Sequence, residues 1–174
     1  NRRVLAICNN PKETNSACVN NYFIGARAVA TSDEAATLAG CIKMDAIILQ
    51  AKAMLTTQLI SEPAFDMLRT QEQLGYIVQA YPSSMGHEIS VTIVVQSATH
   101  SANYLDERIE AFLDSYRTTL ETMDEAEFEL NKSSMVETLL VKYANLNEEM
   151  HARLDEIQRG SLVFLRKKAM AKAL

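Results

Sequence analysis

The three histidines, His87, His100 and His151, are the side chains best suited to bind a catalytic zinc ion, but their spacing forms no metal motif. None has a second histidine four residues later, and neither H-E-x-x-H nor the inverted H-x-x-E-H occurs. A catalytic zinc ion needs three protein ligands and an open coordination position. The G-x-S-x-G elbow, the P-loop and the G-x-G-x-x-G turn are also missing from the sequence. The sequence therefore predicts neither a metal site nor a complete catalytic site in this chain.

A more specific pattern lies in residues 61–78, which read SEPAFDMLRTQEQLGYIV. Here Arg69 and Tyr76 stand seven residues apart, at the junction of a helical segment and a strand. An arginine can donate several hydrogen bonds of fixed geometry to peptide carbonyls. A tyrosine hydroxyl can donate to the oxyanion that forms when a carbonyl is attacked. The residues alone leave a purely structural alternative open, in which Arg69 pairs with Glu72 or Asp66 and Tyr76 packs in the core.

Hydrophobic periodicity predicts the elements that position this pair. Apolar residues at helical spacing predict a helix over residues 45–60, and Ser61-Glu62-Pro63 is typical of the start of a second helical segment. Residues 76–81 are rich in β-branched and aromatic side chains, and residues 88–96 alternate between apolar and polar. These two runs are separated by a Pro-Ser-Ser turn and predict an antiparallel hairpin.

The rest of the chain predicts more strands before the hairpin and helices after it. We expect strands at residues 3–8 and 19–29, and a helix after the capping spacing of Thr31 and Glu34. Helices are predicted at residues 104–120, 124–143 and 147–160, and the run Arg166-Lys167-Lys168 is typical of a salt-bridged helix surface. The predicted fold class is α+β, a mainly antiparallel sheet packed against helices. We expect residues 1–174 to form one domain.

Composition limits the partners and the compartment. The net charge of −5 argues against nucleic acid, and no apolar run is long enough to span a membrane, so neither is expected as a partner. Cys8, Cys18 and Cys41 are an odd number without metal spacing, which favours reduced, mostly buried thiols. We therefore expect a cytoplasmic protein, with a mitochondrial or other organellar location left open. The missing initiator Met suggests that the chain is a fragment of a longer protein.

Residues 61–78 closely resemble the SEPxFxxLRTxEQLGYxV segment of the inverted-motif zinc metallopeptidases, the insulysin and pitrilysin family. A weaker resemblance extends over about residues 19–166. In that family four homologous α+β domains form two halves that close around a peptide, and only the first domain carries the H-x-x-E-H zinc site. The present segment is similar to that of the fourth, non-catalytic domain. Its arginine and tyrosine reach the substrate backbone beside the scissile bond, and the matching residues here are Arg69 and Tyr76.

The resemblance implies a substrate-binding, chamber-forming C-terminal domain of a zinc metalloendopeptidase that degrades peptides. Since the family usually has a further terminal helix where this chain stops, the fragment is expected to be truncated at both ends. Its partners would be peptide substrates and the catalytic domain of the same chain. The zinc ion would belong to the full-length enzyme, with none in this fragment, which would be inactive alone. Two alternatives remain: a domain of a catalytically dead family member that serves as a scaffold or interaction subunit, and an unrelated α+β module that is similar by chance.

Overall fold

Three strands and five helices make up the part of the chain that the computed structural model describes, namely residues 4–26, 44–84, 88–158, 160 and 162–174. A π-helical segment, Phe65–Gln71, continues directly from the first helix. In chain order the regular elements are β1 (Ser16–Ala26), α1 (Met44–Ala64), β2 (Ile77–Ser83), β3 (Glu88–Ser97), α2 (Ala102–Glu121), α3 (Glu125–Leu140), α4 (Leu146–Gln158) and α5 (Arg166–Ala173).

The sheet is antiparallel, with β3 in the centre and the order β1-β3-β2. The alternating side chains Ile89, Val91, Ile93 and Val95 of β3 are buried beneath the helices. Since consecutive side chains of a strand point to opposite faces, this alternation places the core on one face of the sheet. The structure confirms the predicted hairpin and the α+β class.

The N-terminal predictions are only partly correct. The strand predicted at residues 19–29 is β1, which begins at Ser16, and residues 27–29 lie outside the described residues. The strand predicted at residues 3–8 is wrong, since residues 4–8 lie outside the sheet and are exposed to solvent, so no packing partner holds them extended. For the same reason Cys8 is exposed rather than buried, whereas Cys18 is half-buried. Cys41 and the helix expected after Thr31 fall outside the described residues.

Helix α1 lies between two apolar clusters, which explains why apolar residues occupy most of its circumference. On one side Ala53, Ile60 and Ala64 pack in the cluster that contains the inner face of the sheet and α2. On the other side the buried residues are Ile47, Ala51, Leu55 and Leu59, which pack against α3 and α5. A helix that is apolar on most sides is one that is covered on most sides. Helix α1 is therefore the central support of the fold.

The prediction of a new helix at Ser61-Glu62-Pro63 is wrong, because α1 continues through Pro63 to Ala64. Proline has no N–H, so the carbonyl of Leu59, four residues earlier, cannot receive its usual helical bond. The Tyr116 hydroxyl on α2 donates to this carbonyl at 2.7 Å. Ser61 Oγ donates to the Thr57 carbonyl at 2.6 Å instead of capping a new helix. A tertiary hydrogen bond therefore makes the proline tolerable inside the helix.

The three helices predicted after the hairpin are confirmed as α2, α3 and α4. Ser101 caps α2 and its Oγ accepts from the Tyr104 N–H, while Asp124 stands at the N-cap of α3. Helix α3 ends at Leu140, three residues before the predicted end. The short helix α5 was not predicted as a separate element.

A buried ion pair joins α4 to α5 and α1. Arg166 Nε donates to Glu156 Oε1 at 2.6 Å, and Arg166 Nη2 donates to Glu156 Oε2 at 3.0 Å. A third donor, Arg166 Nη1, reaches Gln50 Oε1 on α1 at 2.9 Å. The Val163 N–H also donates to Glu156 Oε2, at 3.1 Å. The basic run at residues 166–168 does form a salt bridge as predicted, but Arg166 lies in the interior rather than on a helix surface.

Candidate functional site

Arg69 and Tyr76 meet at the junction between the π-helical segment and β2. Arg69 lies in the last turn of the π-helical segment, and Tyr76 directly precedes the first residue of β2. The Arg69 guanidinium carbon is 4.8 Å from the centre of the Tyr76 ring and 4.8 Å from the centre of the Phe65 ring. The structure thus brings the two sequence-predicted residues into direct contact and adds Phe65 to them.

The structural alternative for this pair is wrong in each part. Glu72 forms an ion pair with Arg108 of α2, and Asp66 accepts a hydrogen bond from Gln71 at 2.7 Å. Tyr76 is not a core residue, because 81% of its surface is exposed. A tyrosine that is exposed to this extent contributes little to the packing of the core.

The contact with two rings leaves the hydrogen-bonding capacity of Arg69 available. A guanidinium that lies over aromatic rings uses its π-face, while its N–H donors point outward in its own plane. No hydrogen bond or ion pair joins the Arg69 side chain to another residue that the structure describes. The site therefore presents a fixed positive charge with free donors beside an exposed tyrosine hydroxyl, a combination that suits carbonyl oxygens and oxyanions.

Wide backbone turns set the direction in which this pair faces. The Glu72 N–H donates to the Met67 carbonyl at 2.9 Å, and the Leu74 N–H donates to the Leu68 carbonyl at 3.0 Å. Both Leu68 and Leu74 are fully buried and anchor the two ends of the turn. Gln73 adopts a left-handed conformation with φ of 52°, which reverses the chain toward β2. π-Helical turns are rare and occur frequently at functional sites.

Gly75 places Tyr76 against the end of the sheet. A Cβ atom at this position would lie 1.8 Å from the Gln96 carbonyl oxygen of β3 and 3.1 Å from the Ser97 Cα. These are backbone atoms, which cannot rotate away as a side chain can. Only glycine therefore allows the chain to approach β3 as closely as it does.

Gly75→Ala is expected to lower the free energy of unfolding by about 1–3 kcal/mol, the usual cost of forcing extra atoms into a packed site. The matched control is Gly25→Ala, whose new Cβ would meet only the flexible Leu49 Cδ1, at 2.9 Å. Chemical denaturation of both variants measures the difference. Equal stability of the Gly75 and Gly25 variants would contradict the close backbone contact.

The described residues do not fit a zinc ion. No group of three His, Cys, Asp or Glu side chains in them could hold a metal. His100 stacks on Tyr104 with ring centres 5.1 Å apart, and its Nδ1 lies 3.0 Å from Thr99 Oγ1. His151 Nδ1 is 2.8 Å from the Asn147 carbonyl oxygen, while His87 falls outside the described residues. No step of a metal-dependent reaction can be assigned to these side chains.

The site is open rather than enclosed. A cleft of about 650 Å³ lies among α3, α4 and α5, and a second cavity of about 290 Å³ lies beside β1, α1 and α2. Neither is lined by Arg69 or Tyr76.

In the part of the chain that the structure describes, no helix is both long and apolar enough to cross a bilayer.

The fold is that of a pitrilysin domain. The crystal structure of pitrilysin matches with a TM-score of 0.73 and 24% sequence identity, covering 93% of this chain and 16% of that chain. Among curated proteins, the A-factor-processing enzyme of Saccharomyces cerevisiae is 37% identical over 126 residues, and insulin-degrading enzyme-like 1, peroxisomal, of Arabidopsis thaliana is 31% identical over 155 residues. These alignments cover 71% and 88% of this chain, but the chain spans only 12% and 16% of those relatives.

The family assignment follows from the region that holds the site. The sequence model described as "PQQ synthase PqqF-like, C-terminal lobe domain 4" matches residues 55–154, which include both Arg69 and Tyr76. The chain belongs to this family of C-terminal lobe domains, within the insulin-degrading enzyme and pitrilysin group of peptidases. The resemblance stated from residues 61–78 is confirmed, and the alternative of an unrelated module with chance similarity is wrong.

Proposed function

We propose that this chain is the non-catalytic, substrate-orienting C-terminal domain of a zinc metalloendopeptidase that degrades peptides. Residues 1–174 would form one domain of a longer protein, whose catalytic domain holds the zinc ion. The observation that supports this proposal best is the contact of Arg69 with an almost fully exposed Tyr76. Neither residue stabilises a core, and together they offer donors suited to a peptide backbone.

Arg69 would bind and orient the substrate. Its side-chain donors have no partner among the described residues, and its contacts with Phe65 and Tyr76 restrict its motion. Less conformational entropy is therefore lost when a peptide carbonyl binds. The two rings also hold the guanidinium beside the tyrosine hydroxyl. A peptide backbone held by Arg69 would therefore pass within reach of Tyr76.

Tyr76 would stabilise the transition state. Attack on a peptide carbonyl places negative charge on its oxygen, and a donor already in position stabilises this charge more than it stabilises the substrate. The attacking group and the proton transfers would come from the catalytic domain, since no group of side chains among the described residues could hold a metal ion. This division of roles agrees with an open site, because oxyanion donors act most strongly where a second surface excludes water.

We also propose a compartment and partners for the protein. Peptide substrates and the catalytic domain of the same protein are the partners we propose, and the cytoplasm is the compartment expected from the thiols.

The proposal is tested by peptide hydrolysis with the whole protein that contains this chain. We expect cleavage of an internally quenched fluorogenic peptide that is abolished by a zinc chelator and restored by added zinc. Binding of the peptide without any cleavage would contradict the peptidase and favour the scaffold alternative. The reading frame upstream provides a second test, since the peptidase requires an H-x-x-E-H motif there.

Arg69→Lys is expected to lower kcat/KM of the whole protein by about 10- to 100-fold, as expected when a charged hydrogen-bond donor is lost. Lysine keeps the positive charge but lacks the planar set of donors and the stacking surface. The control is Arg117→Lys, whose side chain is exposed on α2 and lies 3.8 Å from Asp114. Steady-state kinetics with the same peptide measure both, and a control-like kcat/KM for the Arg69 variant would remove Arg69 from the site.

A further inference from the structure

The ion pair between Glu72 and Arg108 connects the loop of the site to a different part of the fold. Arg108 Nε donates to Glu72 Oε2 at 2.7 Å, and Arg108 Nη2 donates to Glu72 Oε1 at 2.5 Å. Glu72 lies midway between the two site residues, three positions after Arg69 and four before Tyr76. Arg108 lies on α2, whose residues Leu105 and Ile109 are fully buried beneath the sheet. The pair therefore links the end of the π-helical segment to a helix that is fixed in the core.

The place of Glu72 in the backbone makes this link significant. Its N–H donates to the Met67 carbonyl and closes the last wide turn of the π-helical segment. π-Helical turns are rare and occur mostly as single turns inside α-helices. The carboxylate of the residue that closes this turn is held by two parallel hydrogen bonds from α2. Such a two-point contact fixes orientation as well as distance.

The pair is better suited to fix a geometry than to stabilise the whole fold. The side chains of Arg108 and Glu72 keep 35% and 20% of their surface exposed. Ion pairs with this much contact with solvent contribute little to the stability of a fold. The hydrogen bonds with Glu72 raise the pKa of Arg108, so the guanidinium stays charged throughout the usable pH range. The guanidinium therefore keeps its charge, and the pair is energetically modest.

We propose that Arg108 is a positioning residue that acts through Glu72 to hold Arg69 and Tyr76 in their reactive arrangement. This inference rests on the proposed function, since the arrangement matters for catalysis only if the two residues contact a substrate. Arg108 itself is not catalytic. Its loss would let the last π-helical turn relax and move Arg69 and Tyr76 relative to each other, and displacements of about 1 Å are sufficient to lower a rate by up to ~10²-fold.

The first test is the kinetics of the whole protein. Arg108→Ala is expected to lower kcat by about 10- to 100-fold, with little change in the melting temperature. Arg108→Lys should give an intermediate kcat, because one ammonium group keeps the charge but not the two-point contact. Arg117→Ala, on the same helix, is the control and should leave kcat unchanged.

A double-mutant cycle separates positioning from a general structural effect. If Arg108 acts through the site, Arg108→Ala should lower kcat by a clearly smaller factor in a protein that already carries Tyr76→Phe, because only the displacement of Arg69 can then matter and coupled residues are not additive. The same fold-loss in both backgrounds would overturn the proposal. The proposal would also be overturned if Arg108→Ala had a normal kcat while Tyr76→Phe lowered it. This second result would leave the proposed function intact.

Amide hydrogen exchange tests the positioning without any need for activity. The amides of residues 65–76 should exchange faster in the Arg108→Ala variant of the whole protein than in the wild type. In the Arg117→Ala control they should exchange at the wild-type rate. Unchanged exchange in Arg108→Ala overturns the proposal even in an inactive protein. Faster exchange combined with a normal kcat for Tyr76→Phe would instead contradict the proposed function.

Discussion

Tyr76→Phe is expected to lower kcat of the whole protein by about 10²–10³-fold, with only a small change in KM. The substitution removes one hydroxyl group and keeps the ring that contacts Arg69, so the loss would report on the oxyanion donor alone. A group that acts mainly in the transition state lowers kcat more than it weakens substrate binding. Of the substitutions considered for activity, this one has the largest expected effect.

The matched control is Tyr81→Phe. Tyr81 lies on β2, the strand that Tyr76 directly precedes, and its surface is 41% exposed, but it has no contact with Arg69 among the described residues. It loses the same hydroxyl group without touching the site, so its kcat should equal that of the wild type. A Tyr76→Phe enzyme with an unchanged kcat would refute the oxyanion role.

Glu156→Ala is expected to lower the free energy of unfolding by about 3–5 kcal/mol, the largest effect on stability that we expect. Glu156 and Arg166 have 8% exposed side chains, and removal of the carboxylate leaves the buried guanidinium without its charged partner. The Val163 N–H loses its acceptor at the same time. Chemical denaturation, followed by circular dichroism, measures the change.

Two further variants test the reason for this loss. Glu149 lies on α4, as Glu156 does, and pairs with Arg153 at a more exposed position. Glu149→Ala should therefore lower the free energy of unfolding by less than about 1 kcal/mol. Replacing both members of the buried pair, as in Glu156→Leu with Arg166→Met, should restore much of the stability, because apolar side chains need no charge partner. A double variant that is less stable than Glu156→Ala would contradict this account.

Periodicity in the sequence was sufficient to predict the elements whose stability depends on one buried face. The alternation of Ile89, Val91, Ile93 and Val95 predicted β3 because the opposite face of that strand is not part of the core. The helix break at Pro63 was predicted wrongly for a physical reason. The bond from the Tyr116 hydroxyl to the Leu59 carbonyl joins residues 57 positions apart, and no local pattern indicates it.

Only part of the candidate site could be anticipated from the sequence. Arg69 and Tyr76 were identified through the resemblance of residues 61–78 to the family segment, and the residues alone could not decide between an exposed site and a structural pair. Phe65 lies in the same segment, four residues before Arg69, and this helical spacing was the one signal that could have added it. Arg108 could not be found in this way, because its link to Glu72 spans 36 residues and depends on the packing of α2.

A structure of the whole protein with a peptide bound, in a variant that cannot hydrolyse it, tests the central claim most directly. We predict that the Arg69 guanidinium and the Tyr76 hydroxyl each lie about 2.7–3.2 Å from backbone oxygens of the peptide, beside the bond to be cleaved. A peptide seated in the catalytic domain with neither residue in contact with its backbone would contradict the claim that this domain orients the substrate.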